Sequence, residues 1–378
     1  MFTMSYVSFV RNALFTLSTC VLGLMVLPVT RGGATITNLG TLGGTYSRAY
    51  AVSNDGLVVT GQSRTSGDTD LHAFRWTSMG MQDLGPTARS TSVGYGLSGD
   101  GSVVVGAIRP TTSSQIRGFR WNESNGMKDL PTLGGTGASG GYGVSSDGSI
   151  VAGLSFQAGS QFSRAARWTS AGIEDLGTLG GASAYGYGIS SDGSAVTGWS
   201  STVGNAKSHA FRWTTSGMQD LGTLGGTSSF GYAISGDGSA VVGDSYTTGD
   251  KLVHAFRWSG SEMHDIGSLG GFSKALAVNA DGSIVAGFSN PTGTFENHAF
   301  MWTESSGMVD LNTFLPTLGV DLSGWTLTEA SGLSADGSAI TGYGAFNGQE
   351  MAFLVKLPAP GVMPILVASL LVVNRRRR

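Results

Sequence analysis

An Asp-Gly pair returns seven times along the chain, at Asp55, Asp100, Asp147, Asp192, Asp237, Asp281 and Asp336, at intervals of 45, 47, 45, 45, 44 and 55 residues. Trp76, Trp121, Trp168, Trp213, Trp258 and Trp302 keep step with it. Asp-Gly between two apolar runs marks a tight turn between strands, because glycine accepts the positive φ that the turn needs. The fifth unit shows the rest of the pattern. Its first strand, Phe230-Gly-Tyr-Ala-Ile234, is followed by the turn at Asp237-Gly238 and a second strand at Ala240-Val-Val-Gly243. A variable polar loop leads to a third strand, His254-Ala-Phe-Arg-Trp258, and a fourth, Met263-His-Asp-Ile266. Gly267-Ser-Leu-Gly-Gly271 then crosses to the next unit. Four strands in roughly 40–45 residues is the length of one propeller blade.

The two ends of the repeat decide whether it closes. The third strand occurs a seventh time as Met351-Ala-Phe-Leu-Val355, and no fourth strand follows it. Ile36-Thr-Asn-Leu39, leading into Gly40-Thr-Leu-Gly-Gly44, has the form of a fourth strand and crossover with no unit before it. A ring has a use for such a split, because the divided blade locks the first repeat to the last. The sequence therefore predicts an all-β, seven-bladed β-propeller of four-stranded blades, with the N-terminal strand completing the last blade. The last unit carries an insertion around residues 315–325.

Several third strands begin His-Ala-Phe, at His72, His209, His254 and His298, and the crossovers read Asp-Leu-Gly-Thr-Leu-Gly-Gly or close variants. From about residue 36 to 355 these paired motifs resemble the bacterial extracellular HAF-repeat family. The resemblance implies export and a propeller-like repeat fold, and it implies no catalytic residues.

Composition fits turns and sheets more than solvated helices: 61 of 378 residues are glycine and only 12% are charged, against about 25% charged in ordinary soluble domains. The net charge is −3, but Arg11, Arg31 and Arg375 to Arg378 lie in end segments without acids. The middle keeps 16 basic residues against 25 acidic, a net −9, which argues against nucleic acid or an anionic membrane as partner. The only cysteine, Cys20, falls in the N-terminal apolar stretch, so the repeat body holds together without disulfides. That stretch, residues 13–29, follows Arg11 and precedes Gly32, Gly33 and Ala34, the layout of a secretory leader over residues 1–34. Residues 35–357 form the propeller. In the tail, residues 358–378, Pro358, Ala359 and Pro360 lead into a short apolar run that ends in Arg375, Arg376, Arg377 and Arg378. The tail resembles a PEP-CTERM-type sorting signal, with Ala359 where that family usually has Glu. The implied partners are the export machinery and a membrane sorting protease, and the implied address is extracellular or the cell surface, with a transient membrane hold.

Most acids are accounted for by the repeat. Seven aspartates make the turns, and Asp83, Asp129, Asp175, Asp220, Asp265 and Asp310 occupy one position of the fourth strand. Catalysis needs asymmetry, so a residue present in every blade reads as scaffold. Folding the third strand on the fourth suggests cross-strand pairs of Arg75 with Asp83, Arg120 with Asp129, Arg167 with Asp175, Arg212 with Asp220 and Arg257 with Asp265. The four repeated histidines, spread over four blades, are expected to be structural and to bind no metal, since a zinc ion needs all its ligands about 2 Å away. No cofactor motif is present. The variable loops between second and third strands are the candidate binding face, with Asp68, Asp70, Arg109, Arg117, Lys207, Asp250, Lys251 and Glu296, and with Gln157, Gln161, Asn205, Asn290 and Asn297 beside them. Polysaccharide or protein would be the ligand. A structural envelope or biofilm component is the second reading. A glycan-active enzyme is the third, and it needs two carboxylates facing each other among Asp68, Asp70, Asp244, Asp250, Glu296 and Asp321.

Overall fold

The computed structural model describes residues 33–85, 90–110, 115–134 and 137–358. The leader, apart from its last two residues, and the sorting tail beyond Pro358 lie outside the described residues. Within them the chain forms seven antiparallel sheets of four strands, a seven-bladed β-propeller. Blade five runs Gly225–Ile234, Ala240–Thr247, Val253–Ser259 and Glu262–Asp265, in that order across the sheet. The first strands of successive blades touch one another right round the ring, so they are the strands nearest the axis. The crossovers and second-to-third-strand loops share one face of the ring. The Asp-Gly turns lie on the other, the turn face.

Closure follows the split repeat. Strand Thr35–Asn38 pairs antiparallel with Gln349–Lys356, with Ile36 opposite Val355 and Asn38 opposite Phe353. It is the outermost strand of a sheet completed by Ala339–Phe346 and Trp325–Leu333. The insertion of the seventh unit is a short helix, Leu311–Thr317, capped by the Asp310 side chain accepting from the Asn312 amide. Leu311 and Leu315 fill the space between blades six and seven.

A second closure was not foreseen. On the turn face a belt of backbone hydrogen bonds passes from blade to blade: Asn54 donates to Gly99, Gly99 to Ser146, Ser146 to Ser191 and Ser191 to Gly236. Asp237 donates to Ala280, Ala280 to Ala335, and Ala335 back to Asn54. Each turn within the belt is self-capped. In the first, the Ser53 hydroxyl donates to Asp55 at 2.6 Å, the same carboxylate accepts the Leu57 amide, and the following glycine has φ +70°. These contacts hold the turn aspartates ionised. The Ser145 hydroxyl and then the Ser149 amide lower Asp147 to about 2, and Asp55, Asp100, Asp192, Asp237, Asp281 and Asp336 are lowered too. A depressed native pKa adds stability that is complete above the unfolded value, near 4, and lost as pH falls through the native one. The unfolding midpoint is therefore expected to fall steeply between about pH 4 and pH 2, which thermal melts across that range would show. A flat profile would mean that the turns carry no linkage.

The core lies between blades. The phenylalanines of the third strands, Phe74, Phe119, Phe211, Phe256, Phe300 and Phe353, are fully buried. Phe256 of blade five, for example, packs with Ala210 and Leu221 of blade four. Burying each stabilises by about 1.5–3 kcal/mol. Backbone groups are satisfied across the same seam: the Ala73, Ala210 and Ala255 amides donate to Ser92, Ser229 and Ser273 of the following blades. The Ala352 amide does so to Ser47, across the ring's closing seam.

The cross-strand arginine–aspartate pairs do not form. Thr77 pairs with Gly80 across a two-residue turn, which places Phe74 opposite Asp83 and Arg75 opposite Gln82. The expected register was one residue off, and a one-residue slip turns every side chain to the other face. Arg75 instead donates to the Gly101 carbonyl in the next blade's turn, at 2.8 Å, as Arg212 does to Gly238 and Arg257 to Gly282. The aspartate takes a different partner. His72 lies 2.9 Å from Asp83, His209 2.8 Å from Asp220, His254 2.8 Å from Asp265 and His298 2.7 Å from Asp310, each through Nδ1. In blades two and three Arg117 and Arg164 stand in the histidine's place, 3.1 and 3.8 Å from Asp129 and Asp175. In blade seven both partners change together, to Met351 and Asn38.

Candidate functional site

The loop residues that sequence analysis favoured divide into two groups. Asp68, Asn205 and Asp250 adopt φ of +54°, +60° and +55°. They accept hydrogen bonds from the Thr45, Ala182 and Thr227 amides of the crossovers, at 2.8, 2.7 and 2.8 Å. They pin each loop to the start of its own blade. The signal was present as Thr-x-Gly-Asp/Asn at Thr65, Thr202 and Thr247. Removing the pin in Asp250→Ala is expected to speed amide exchange at Thr227 by roughly tenfold while the unfolding midpoint barely moves. Unchanged exchange would show that the loop holds itself. Arg117 is engaged with Asp129 and Gln157 with Asp175. Arg109, Lys207, Lys251 and Glu296 are exposed, and the structure does not bring them together.

What the loops surround is more informative. In every blade the first strand carries a β-bulge, where one residue has no partner on the second strand. The unpaired residues are Tyr50, Tyr95, Tyr142, Tyr187, Tyr232, Leu276 and Ser331. A bulge re-aims its side chain. Here the five tyrosines meet one another around the axis, with ring centroids 5.6, 5.1, 5.2 and 5.6 Å apart from blade one to blade five. Below them, toward the turn face, the axis is lined by aliphatic side chains, among them Leu97, Val144, Ile189, Ile234, Val278 and Leu333.

Above the tyrosines, toward the crossover face, the blades cease to be alike. The residue two before the bulge is Arg48, Val93, Gly140, Tyr185, Phe230, Lys274 or Glu329. Its partners on the second strand include Gln62, Trp199, Asp244, Phe288 and Tyr343. One side of this layer is aromatic: Tyr185 stacks on Trp199 at 4.7 Å, and Phe230 meets Trp199 edge-on at 5.9 Å. The other side is charged. Arg48 forms a two-pronged pair with Glu350 and lies 4.2 Å from the centre of the Tyr343 ring. The Tyr343 hydroxyl donates to Glu329 at 3.0 Å. Lys274 donates to the Tyr232 hydroxyl at 3.1 Å and stands 3.4 Å from Asp244.

Burial pushes the Asp244 carboxyl above the usual carboxylate range, against the charge of Lys274. Burial likewise raises Glu329, against the hydrogen bond from Tyr343 and the charges of Arg48 and Lys274. Of the six acids proposed for a catalytic pair, Asp244 alone reaches this layer, and Asp68, Asp70, Asp250, Glu296 and Asp321 sit on loops. Among the described residues, Glu329 and Glu350 also engage this layer, and neither was singled out. Their signal was departure from the repeat at an inner-strand position and at a loop edge.

No protein-family model matches the sequence, and no curated protein matches it. Solved propellers do match the fold. An oligogalacturonate lyase in complex with manganese is 14% identical, with a TM-score of 0.57 over 87% of this chain and 94% of that one. A prolyl endopeptidase is 11% identical at a TM-score of 0.52, over 84% of this chain and 51% of its own. TolB from Acinetobacter baumannii is 13% identical at 0.44, over 69% and 62%. At such identities the first two likenesses show the fold and nothing of the chemistry. Among the described residues no three metal-binding side chains gather, and no helix is long and apolar enough to cross a membrane.

Proposed function

We propose that the chain is an exported, cell-surface or extracellular binding module, non-catalytic, that takes its ligand at the crossover end of the central channel. The observation that carries this reading is where the repeat breaks. The repeated first strands diverge in one axial layer, and there they gather aromatic rings and paired charges. Selection for folding alone gives no reason for blades to differ so widely at a partly buried inner position. The carboxylates of that layer are engaged by Lys274, Arg48 and Tyr343, which suits recognition better than proton transfer.

The leader and the sorting tail support export, as does the resemblance to extracellular repeats. Strand Thr35–Asn38 starts at the turn face, and Leu357 ends there, its amide donating to Ser338 beside a turn. The test is to express the full chain with leader and tail, and to measure protease accessibility on intact cells. Released protein is then applied to arrays of extracellular glycans and proteins, beside the Trp199→Ala variant. Surface exposure with binding that the variant loses supports the reading. A chain retained inside the cell overturns export, and the absence of any ligand leaves a structural envelope component.

A further inference from the structure

We infer that the site takes an uncharged sugar unit of a polysaccharide, with the ring's C–H face on the Tyr185–Trp199–Phe230 wall and its hydroxyls on the Lys274–Asp244 and Glu329–Tyr343 groups. The inference rests on the binding reading above and narrows it to a ligand class.

The charges argue by being already matched. An anionic ligand would have to draw Arg48 from Glu350, or Lys274 from Asp244, whose side chain is only 6% exposed. Taking away one partner of a buried pair leaves the other uncompensated, and that is the costly way to rearrange an ion pair. A cationic ligand meets the same obstacle in reverse. The aromatic faces beside the carboxylates are also occupied, since Arg48 lies over Tyr343, and Lys274 sits 4.7 Å from the centre of the Tyr232 ring. A wholly apolar ligand would strip water from these groups and return no hydrogen bonds.

A sugar hydroxyl both donates and accepts, so it can join an ion pair without splitting it. One acceptor has room for such a donor: Asp244 is held by Tyr232 and Lys274, yet its buried Oδ1 makes no hydrogen bond of good geometry, Lys274 standing 3.4 Å away. A buried acceptor left without a hydrogen is unusual and calls for a partner. Across the layer, Trp199 and Tyr185 are stacked with their planes within 15° of parallel, and both stay partly exposed, which offers a ring face of the kind that the apolar side of a pyranose covers. Large aromatic surface beside a few oriented polar groups is the usual make-up of a small-ligand site.

The experiment is calorimetric titration of the full chain, as purified after export, with three sets of oligosaccharides: neutral hexose and pentose oligomers, hexuronate oligomers and amino-sugar oligomers. Saturable binding of at least one neutral set is expected. Trp199→Ala and Phe230→Ala should each weaken it by roughly tenfold or more. Met79→Ser, in an exposed hairpin turn on the opposite face, should leave it unchanged. Melting curves identify any variant that fails to fold, and the two aromatic variants stand in for each other. Binding confined to the charged sets overturns the inference, and so does neutral binding that neither aromatic variant weakens. If the chain binds an array protein in a Trp199-dependent way and no neutral sugar, the sugar assignment fails while the binding module stands. If it binds nothing, both fail.

Discussion

Deleting residues 35–39 is expected to lower the unfolding midpoint by on the order of 10 °C and to make the chain self-associate. The five residues do several things at once. Thr35–Asn38 supplies the outer strand of blade seven, and the Leu39 amide continues the ladder to the Ala352 carbonyl. Leu39 is buried against Ala49, Phe74 and Leu354, and Ile36 packs with the core between blades six and seven. Asn38 also caps the crossover by accepting from the Gly40 amide. Losing two apolar anchors and a strand's hydrogen bonds amounts to several kcal/mol, and in a domain this large one kcal/mol shifts the midpoint by about 2 °C.

The deletion also uncovers Gln349–Lys356 as an open edge whose inner part, Ala352 to Val355, is apolar, which is a template for pairing between chains. The turn-face belt and the Ser47–Ala352 bond remain, so the ring is expected to loosen before it opens. Thermal melts with light scattering check this. An unchanged midpoint would mean that the belt alone closes the ring and that the split blade is incidental.

The architecture was legible because the repeat states it in full: strand count, turn position and the missing fourth strand are all countable in the letters. The cross-strand pairing was not, for a local reason. Whether Asp83 faces Arg75 or Phe74 depends on whether the hairpin turn holds two residues or three, and Thr-Ser-Met-Gly does not announce which. The rule that pairs vanish together in blade seven was sound, but it belonged to Met351 and Asn38, with Met351 in the place of His72. The inner layer was hidden more deeply. A strand pattern read with period two assigns Tyr50 and Arg48 to one face, yet the bulge gives Tyr50 a direction of its own. Only the placement of first strands at the axis turns Arg48, Lys274 and Glu329 into neighbours.

The bulge itself predicts the most damaging single substitution. Gly198 lies opposite Gly186, where the first strand of blade four, Gly180–Ile189, bends around Tyr187. A Cβ on Gly198 would stand 1.7 Å from the Tyr185 carbonyl oxygen, a backbone atom that cannot rotate away. The equivalent position is glycine in all seven blades, at Gly61, Gly106, Gly153, Gly198, Gly243, Gly287 and Gly342. The nearest carbonyl there lies between 1.7 and 2.0 Å from the added carbon. This glycine is required by close approach of two strands and not by its φ, which is that of an ordinary strand residue. Gly198→Ala must therefore either flatten the bulge or push the first strand inward. Flattening unpairs the register on one side of Tyr187 and turns the tyrosine out of its ring. The expected cost is about 4 kcal/mol or more, a size reached only when packing or backbone is forced apart. Gly222→Ala is the matched control: its φ is +73° with nothing within 4 Å of the added carbon, so only the conformational penalty of about 1 kcal/mol applies. Urea denaturation of the two variants separates the cases. Similar losses for both would mean that the strands relax readily, and that the tyrosine ring does not depend on the bulge for its position.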